Sequence, residues 1–360
     1  MTSAAVVVIL GALALPGILS GQLFFSDGKS REVPLALDSG PISVSSENSH
    51  EYDWSSNAEL VRFHVRRQPQ DIGVVELEVC IDAGLTNCSV ALVPPIIDLW
   101  TGPLPSKGRL RLKALPDGQI SRMTIDRAAG LLPILHPQGI VGADYRMWVK
   151  DDSDRVIELG RAVARIYFSD SLDRAWTCTG FLVFPKVLMT NAHCLHDGTE
   201  MSPPVVEFDY DSEDRVPISR HLTRCIVKDD RLDVAIFQLD AEMCDRSPLK
   251  LTSDRLSPGS PMVLIEHPDG EPKQVSKMQC HVTRSGVPGV TEDLTDFEHS
   301  CASKPGSSGS PMIDFDSGFV VGLHHFGEDK SGKALNQAVY MDLIIGIMPK
   351  QLPEKGECRK

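Results

Sequence analysis

Apolar residues in this 360-residue chain recur mostly at every second position, the period of a half-buried strand. In LVRFHVRR (60–67), Val61, Phe63 and Val65 fall on one face. In VVELEVCID (74–82), Val75, Leu77, Val79 and Ile81 do the same. RLRLKAL (109–115) and ISRMTID (120–126) alternate likewise, with turn-forming residues between the runs. These runs predict a β-rich, sandwich-like N-terminal domain over 22–153, either a permanent accessory domain or a pro-domain. A second patterned region opens at DRVIELGRAVARIYF (154–168), after the charged DDSD (151–154). The stretch 154–360 has the length of one all-β domain of sandwich or barrel size. Helical periodicity is scarce there, except around Val339–Met348.

Composition narrows the setting. Residues 4–19, AAVVVILGALALPGIL, carry no charge and are followed by the small residues Ser20 and Gly21. This predicts a signal peptide over 1–21, since a spanning helix needs roughly 20 apolar residues. The expected location is therefore extracytoplasmic, secreted or periplasmic, with no stable membrane insertion after cleavage. The formal charge of −13 argues against a nucleic-acid partner, which would need clustered Lys and Arg. Nine cysteines occur without a CxxC. In an exported chain they suggest local disulfides: Cys80–Cys88, Cys178–Cys194, Cys225–Cys244 and Cys280–Cys301, with Cys358 left over. Order alone does not fix connectivity.

The candidate chemistry lies in the second region. CTGFLVFPKVLMTNAHC (178–194) reads as a strand, a Pro-Lys turn, a second strand, and then His193. In RLDVAIFQLD (231–240), Asp233 precedes an apolar strand and needs a hydrogen-bond partner there. Imidazole is a suitable one. CASKPGSSGSP (301–311) is a Gly/Ser turn with four serines. The order His193, Asp233, Ser308 is that of chymotrypsin and differs from the orders of subtilisin and the α/β-hydrolases.

TNAHC, DVAIF and GSSGSP, with Cys178 and Cys194 bracketing the histidine, resemble the three motifs of chymotrypsin-like (trypsin-like) serine peptidases. The resemblance runs from about residue 158 to the C-terminus and implies an all-β, chymotrypsin-like double β-barrel. It implies that Ser308 attacks, His193 is the general base, and Asp233 orients the imidazole. It also implies that the backbone N–H groups of Gly306 and Ser308 form the oxyanion hole. The substrate would be a protein or peptide, with no cofactor and no metal. A non-catalytic binding homologue and an esterase with the same triad are the competing readings.

Departures from the digestive members are informative. Ser307 stands where they carry the Asp that pairs with a new N-terminal ammonium. Ala302 stands where trypsin-like specificity needs a carboxylate. GLHHFG (322–327) resembles the GIH stretch of bacterial glutamyl endopeptidases, which implies that Ser303 and His324 contact a substrate Glu or Asp. His325 lies where the family often has a serine. HCLH (193–196) is not read as a metal site. DYDSED (209–214) reads as a solvated acidic loop, and EHPDG (266–270) as a structural turn. Lys304 and Pro305 have no role legible in the sequence.

Overall fold

The computed structural model describes residues 30–35, 42–44, 49–67, 75–80, 88–93, 98–100, 104–114, 121–133, 144–169, 174–195, 204–212, 217–291, 293–328 and 334–350. The expected signal peptide (1–21) and Cys358 lie outside these residues.

The N-terminal part is antiparallel sheet: β1 (Ser30–Leu35), β2 (Ile42–Val44), β3 (His50–Arg67), β4 (Val75–Cys80), β5 (Cys88–Val93), β6 (Asp98–Trp100), β7 (Leu104–Ala114) and β8 (Ser121–Pro133). Its main path runs β1-β8-β3-β7-β4-β5. On β3 the predicted Val61, Phe63 and Val65 are buried, but so is His64, where the register with β8 shifts and strict alternation breaks; on β7 Leu110 and Leu112 are buried as expected, and Ile125 on β8 is buried. β4 and β5 set Cys80 opposite Cys88 in register. The side chains of the expected Cys80–Cys88 bridge lie outside the described residues.

A short strand, β9 (Met147–Trp148), and helix α1 (Asp154–Gly160) lead into two barrels. The first comprises β10 (Val163–Ser169), β11 (Arg174–Phe184), β12 (Val187–Thr190), β13 (Val205–Phe208), β14 (Ile218–Asp229) and β15 (Val234–Leu239). Its order β10-β13-β14-β15-β12-β11 closes through β10–β11 pairing. Apolar side chains such as Ile166, Phe181, Leu188, Phe208 and Ile236 fill it. The N-terminal sheet joins this barrel's rim where β1 pairs with the start of β11 (Ser30↔Ala175).

The second barrel comprises β16 (Met262–Glu266), β17 (Gln274–Ser276), β18 (Val282–Val287), β19 (Asp296–His299), β20 (Pro311–Asp314), β21 (Val320–Glu328) and β22 (Ala334–Tyr340). The order β18-β19-β22-β21-β20-β16-β17-β9 includes the strand that precedes both barrels. A bridge between Pro261 and His281 links the approach to β16 with the approach to β18. Helix α2 (Met341–Ile347) follows, where the sequence suggested helical periodicity.

Buried ion pairs brace the junction of the barrels. Arg165 on β10 binds Glu207 at 2.7 Å and donates to the Gly270 carbonyl at 2.6 Å. Arg246 makes a forked pair with Asp209 at 2.9 and 3.1 Å, and Lys273 meets Asp211 at 3.0 Å. The expectation of a solvated acidic loop is thus corrected: Asp209 is buried because it neutralises a buried guanidinium.

The disulfides Cys178–Cys194 and Cys280–Cys301 are present. The expected Cys225–Cys244 bridge is not. Cys225 is a free, exposed thiol, and Cys244 is disulfide-bonded to another partner. The hairpin explains this. β14 and β15 place Cys225 opposite Phe237. Cys244 lies beyond the far end of β15, beside Met243, whose N–H bonds the Pro185 carbonyl at 2.7 Å. Nearness in sequence is undone by the register.

Candidate active site

His193 follows β12 and is held on two sides. The Cys178–Cys194 bridge ties the next residue to β11. Its backbone N–H donates to Asp233 Oδ1 at 2.9 Å, and its Nδ1 lies 2.7 Å from Asp233 Oδ2. An ionised carboxylate accepts only, so Nδ1 carries the hydrogen and Nε2 is the basic nitrogen of the ring. The ring is about one-third exposed, whereas Asp233 is buried.

Asp233 sits before β15 with φ +48°, a left-handed conformation that Asp tolerates better than most residues. Asn191 Nδ2 donates to its carbonyl at 2.8 Å and fixes this turn. Burial works against ionisation of Asp233, but His193 and His325 more than offset it and hold the carboxyl well below its usual range.

Ser308 is buried at the turn before β20, and its carbonyl accepts from Thr179 N–H at 2.8 Å. Thr179 is next to Cys178 on β11, so one strand anchors both the serine loop and the histidine's disulfide. Within the loop, Ser307 N–H donates to the Lys304 carbonyl, Gly309 N–H to that of His324, and Ser310 N–H to that of Ser307. Among the described residues, the amides of Gly306 and Ser308 bond no backbone carbonyl. Two N–H groups are thereby left to donate elsewhere.

Glycine is required here by geometry. Gly306 has φ +92°, and a Cβ there would stand 2.6 Å from the His267 carbonyl oxygen. Gly309 has φ +86°, and a Cβ would overlap the Thr179 carbonyl. Thr179 Oγ1 donates to the Gly306 carbonyl at 2.8 Å and accepts from His267 N–H at 2.9 Å.

The EHPDG turn (266–270) is the seat of this loop, which gives Lys304 and Pro305 their roles. Asp269 N–H donates to the Pro305 carbonyl at 2.5 Å, and Lys304 Nζ pairs with Asp269 at 3.0 Å. Glu266, on the same turn, is fully buried. Burial lifts its carboxyl to about 8, partly offset by the Ser307 hydroxyl and the Arg146 guanidinium. Arg146 belongs to the segment of β9. In register, Trp148 opposes Gln274 and Gln274 opposes Glu266, so Arg146 falls on the sheet face of Glu266.

Of the expected specificity residues, Ser303 donates to Asn336 Oδ1 at 2.7 Å, and Asn336 Nδ2 in turn holds the Cys301 carbonyl at 2.6 Å. His324 Nδ1 lies 3.0 Å from His299 Nε2. Burial pushes both imidazoles down, His299 to about 3, so the pair is neutral. The sequence reading missed His299, Thr179, Asn191, Asn336 and Asp296; their partners are distant in the chain, and no local motif marks them. Cys178 Sγ, Cys194 Sγ and a His193 ring nitrogen cluster within 4.8 Å, but both sulfurs are spent in a disulfide, so this is no thiolate metal site.

Among the described residues no helix is long and apolar enough to cross a membrane. Residues 178–323 match the family model described as "Trypsin-like peptidase domain". The uncharacterized protein y4fB of Sinorhizobium fredii is 28% identical over 196 residues, covering 48% of this chain. The match spans only 29% of that relative's length. The Rv3671c protease from M. tuberculosis, in its active form, is 18% identical with a TM-score of 0.44, over 60% of this chain and 91% of that one. The HtrA-type protease AlgW with a decapeptide is 18% identical with a TM-score of 0.43, over 54% and 65%. His193, Asp233 and Ser308 all fall inside the matched segment, and the two barrels have the chymotrypsin-like double β-barrel fold.

Proposed function

We propose that this protein is an exported serine endopeptidase that cleaves through an acyl-enzyme on Ser308. One observation carries the reading. A His193–Asp233 pair, with Nδ1 turned to the carboxylate and Nε2 as the basic nitrogen, lies beside a serine loop whose Gly306 and Ser308 amides are left to donate. A serine hydroxyl needs an adjacent base at neutral pH. His193 Nε2 takes the proton as Ser308 attacks the scissile carbonyl, and later gives it to the leaving amine. Asp233 holds the tautomer and stabilises the imidazolium. The two amides bind the developing oxyanion, and because the loop is already folded they need no reorganisation. Export is supported by the apolar run at 4–19 and by the disulfides.

The substrate side chain before the scissile bond is acidic in this reading. The neutral His324 donates one N–H to a carboxylate, with His299 behind it, and the Ser303 hydroxyl turns from Asn336 to the ligand. Ala302 brings no opposing charge to the site.

A fluorophosphonate probe tests the enzyme reading. Wild type is labelled and Ser308→Ala is not; a wild type unlabelled both as the full chain and as a chain begun just before Asp144, which keeps the strand Met147–Trp148, overturns it. A peptide library then tests the pocket. Cleavage after Glu or Asp supports it, and cleavage after Lys or large apolar residues overturns it.

A further inference from the structure

Asp233 serves two imidazoles. His193 Nδ1 lies 2.7 Å from Oδ2, and His325 Nδ1 lies 3.3 Å from the same oxygen. The other ring nitrogen of His325 makes a close contact with Asp296 Oδ2. Thr295 Oγ1 donates to the second oxygen of Asp296 at 2.8 Å. The loop at Gly289 closes over this group, since a side chain there would collide with Asp296 and Thr295. His325, Asp296 and Asp233 are all buried.

The arrangement dictates a protonation state. A neutral imidazole has one N–H and one lone pair. Between two carboxylates, that lone pair would face an acceptor. As imidazolium, both nitrogens donate. Burial opposes the charge, but Asp233 and Asp296 outweigh it and raise His325 to about 10. The other titratable groups near it are His324 on its own strand, His299 on β19, and His193. His299 and His324 are pushed down by burial, with the His325 charge a lesser contributor.

We propose that His325, held as imidazolium between Asp296 and Asp233, is a positioning residue that fixes the Asp233 carboxylate and sets the basicity of His193. The inference rests on the peptidase reading above. The chain of groups is Asp296, His325, Asp233, His193. A cation on Asp233 withdraws part of the negative charge that would otherwise stabilise protonated His193. The imidazole therefore stays neutral, and able to accept a proton, at lower pH. Asp296 limits this effect, because it offsets the His325 charge. The pair is nearly neutral as a unit, and each half alone is not.

The test follows from that balance. The ionisation of His193 is followed by NMR of 15N-histidine-labelled protein carrying Ser308→Ala, so the readout needs no catalysis. In that background, His325→Gln leaves Asp296 uncompensated and raises the pKa of His193 by about one unit. Asp296→Asn leaves the cation, still held by Asp233, without its second counter-charge and lowers it by a similar amount. The double variant His325→Gln/Asp296→Asn returns the value toward that of the parent. In proteins with Ser308 intact, the acid limb of kcat/KM moves in the same directions, with kcat falling about 10-fold and KM nearly unchanged. Opposite shifts in the two single variants establish the role. An unmoved His193, or shifts of the same sign, overturns it. Should His325→Gln fail to fold, Asp296→Asn alone decides by the sign of its shift. If the fluorophosphonate probe fails to label wild type while the NMR shifts appear, the peptidase reading falls and the charge relay stands.

Discussion

Asp233 and Glu266 are both buried carboxyl groups beside the serine loop, and their surroundings drive them in opposite directions. Asp233 is gripped by two imidazoles and an amide, and stays ionised despite its burial. Among the described residues Arg146 is the cation that acts on Glu266, and burial wins: its carboxyl rises to about 8. Neither oxygen of Glu266, nor Nη1 of Arg146, makes a well-formed hydrogen bond among the described residues, and the Ser307 hydroxyl beside Glu266 offsets its burial only in part. The lesson concerns partners rather than depth. Charge survives in an apolar interior only where hydrogen bonds and counter-charges converge on it. Asp233 is therefore fit to hold a tautomer, while Glu266 is an uncharged prop under Ser307 at neutral pH.

Replacing Asp233 tests the stronger half of this contrast. Asp233→Asn takes the negative charge from both imidazoles and lets His193 adopt the wrong tautomer. The expected result is a fall of roughly 10⁴-fold in kcat, measured on a peptide ester. A loss of less than about 10-fold would mean that Asp233 does not orient the base.

Glu266→Gln tests the other half through stability. The group releases its proton near 4.5 when unfolded and near 8 when folded, so folding is penalised increasingly as pH rises through that window. Wild type should lose stability from pH 5 to 8, and the Gln variant should not. The variant is expected to be more stable by roughly 4 kcal/mol at pH 8 and equal to wild type near pH 4, by urea titration. Asp233 has the opposite sign: its depressed carboxyl stabilises the fold above its unfolded value near 3.8, and this is lost as pH falls below it.

Lys304→Ala gives the smallest effect. Its pair with Asp269 is partly exposed, so about 0.2–1 kcal/mol of stability is expected to go, less at high salt. A larger loss would show that the pair holds the loop at Asp269 more firmly than its backbone bond to Pro305 does.

Much of this was legible before the structure because it is local. Period-two alternation marked β3, β7 and β8, and the three motifs picked out His193, Asp233 and Ser308. Cys178 and Cys194 flank a single hairpin, so their nearness in sequence survives folding. Cys225 and Cys244 are almost as near in sequence, but a strand register separates them. The Asp296–His325 contact joins two strands 29 residues apart, and nothing local in HHFG announces it. Asp209 looked solvated because its counter-ion, Arg246, lies 37 residues downstream. Side chains whose partners come from another strand are the ones a linear reading misses.

The short strand Met147–Trp148 has a practical consequence. It is hydrogen-bonded along β17, at the border of the second barrel's sheet. A chain started at Asp154, where the change in composition invites a cut, would leave β17 as a bare rim of unpaired amides and carbonyls. Such a rim recruits strands from other molecules. That truncated protein would be prone to self-association, and a chain begun before Asp144 would keep its own cover.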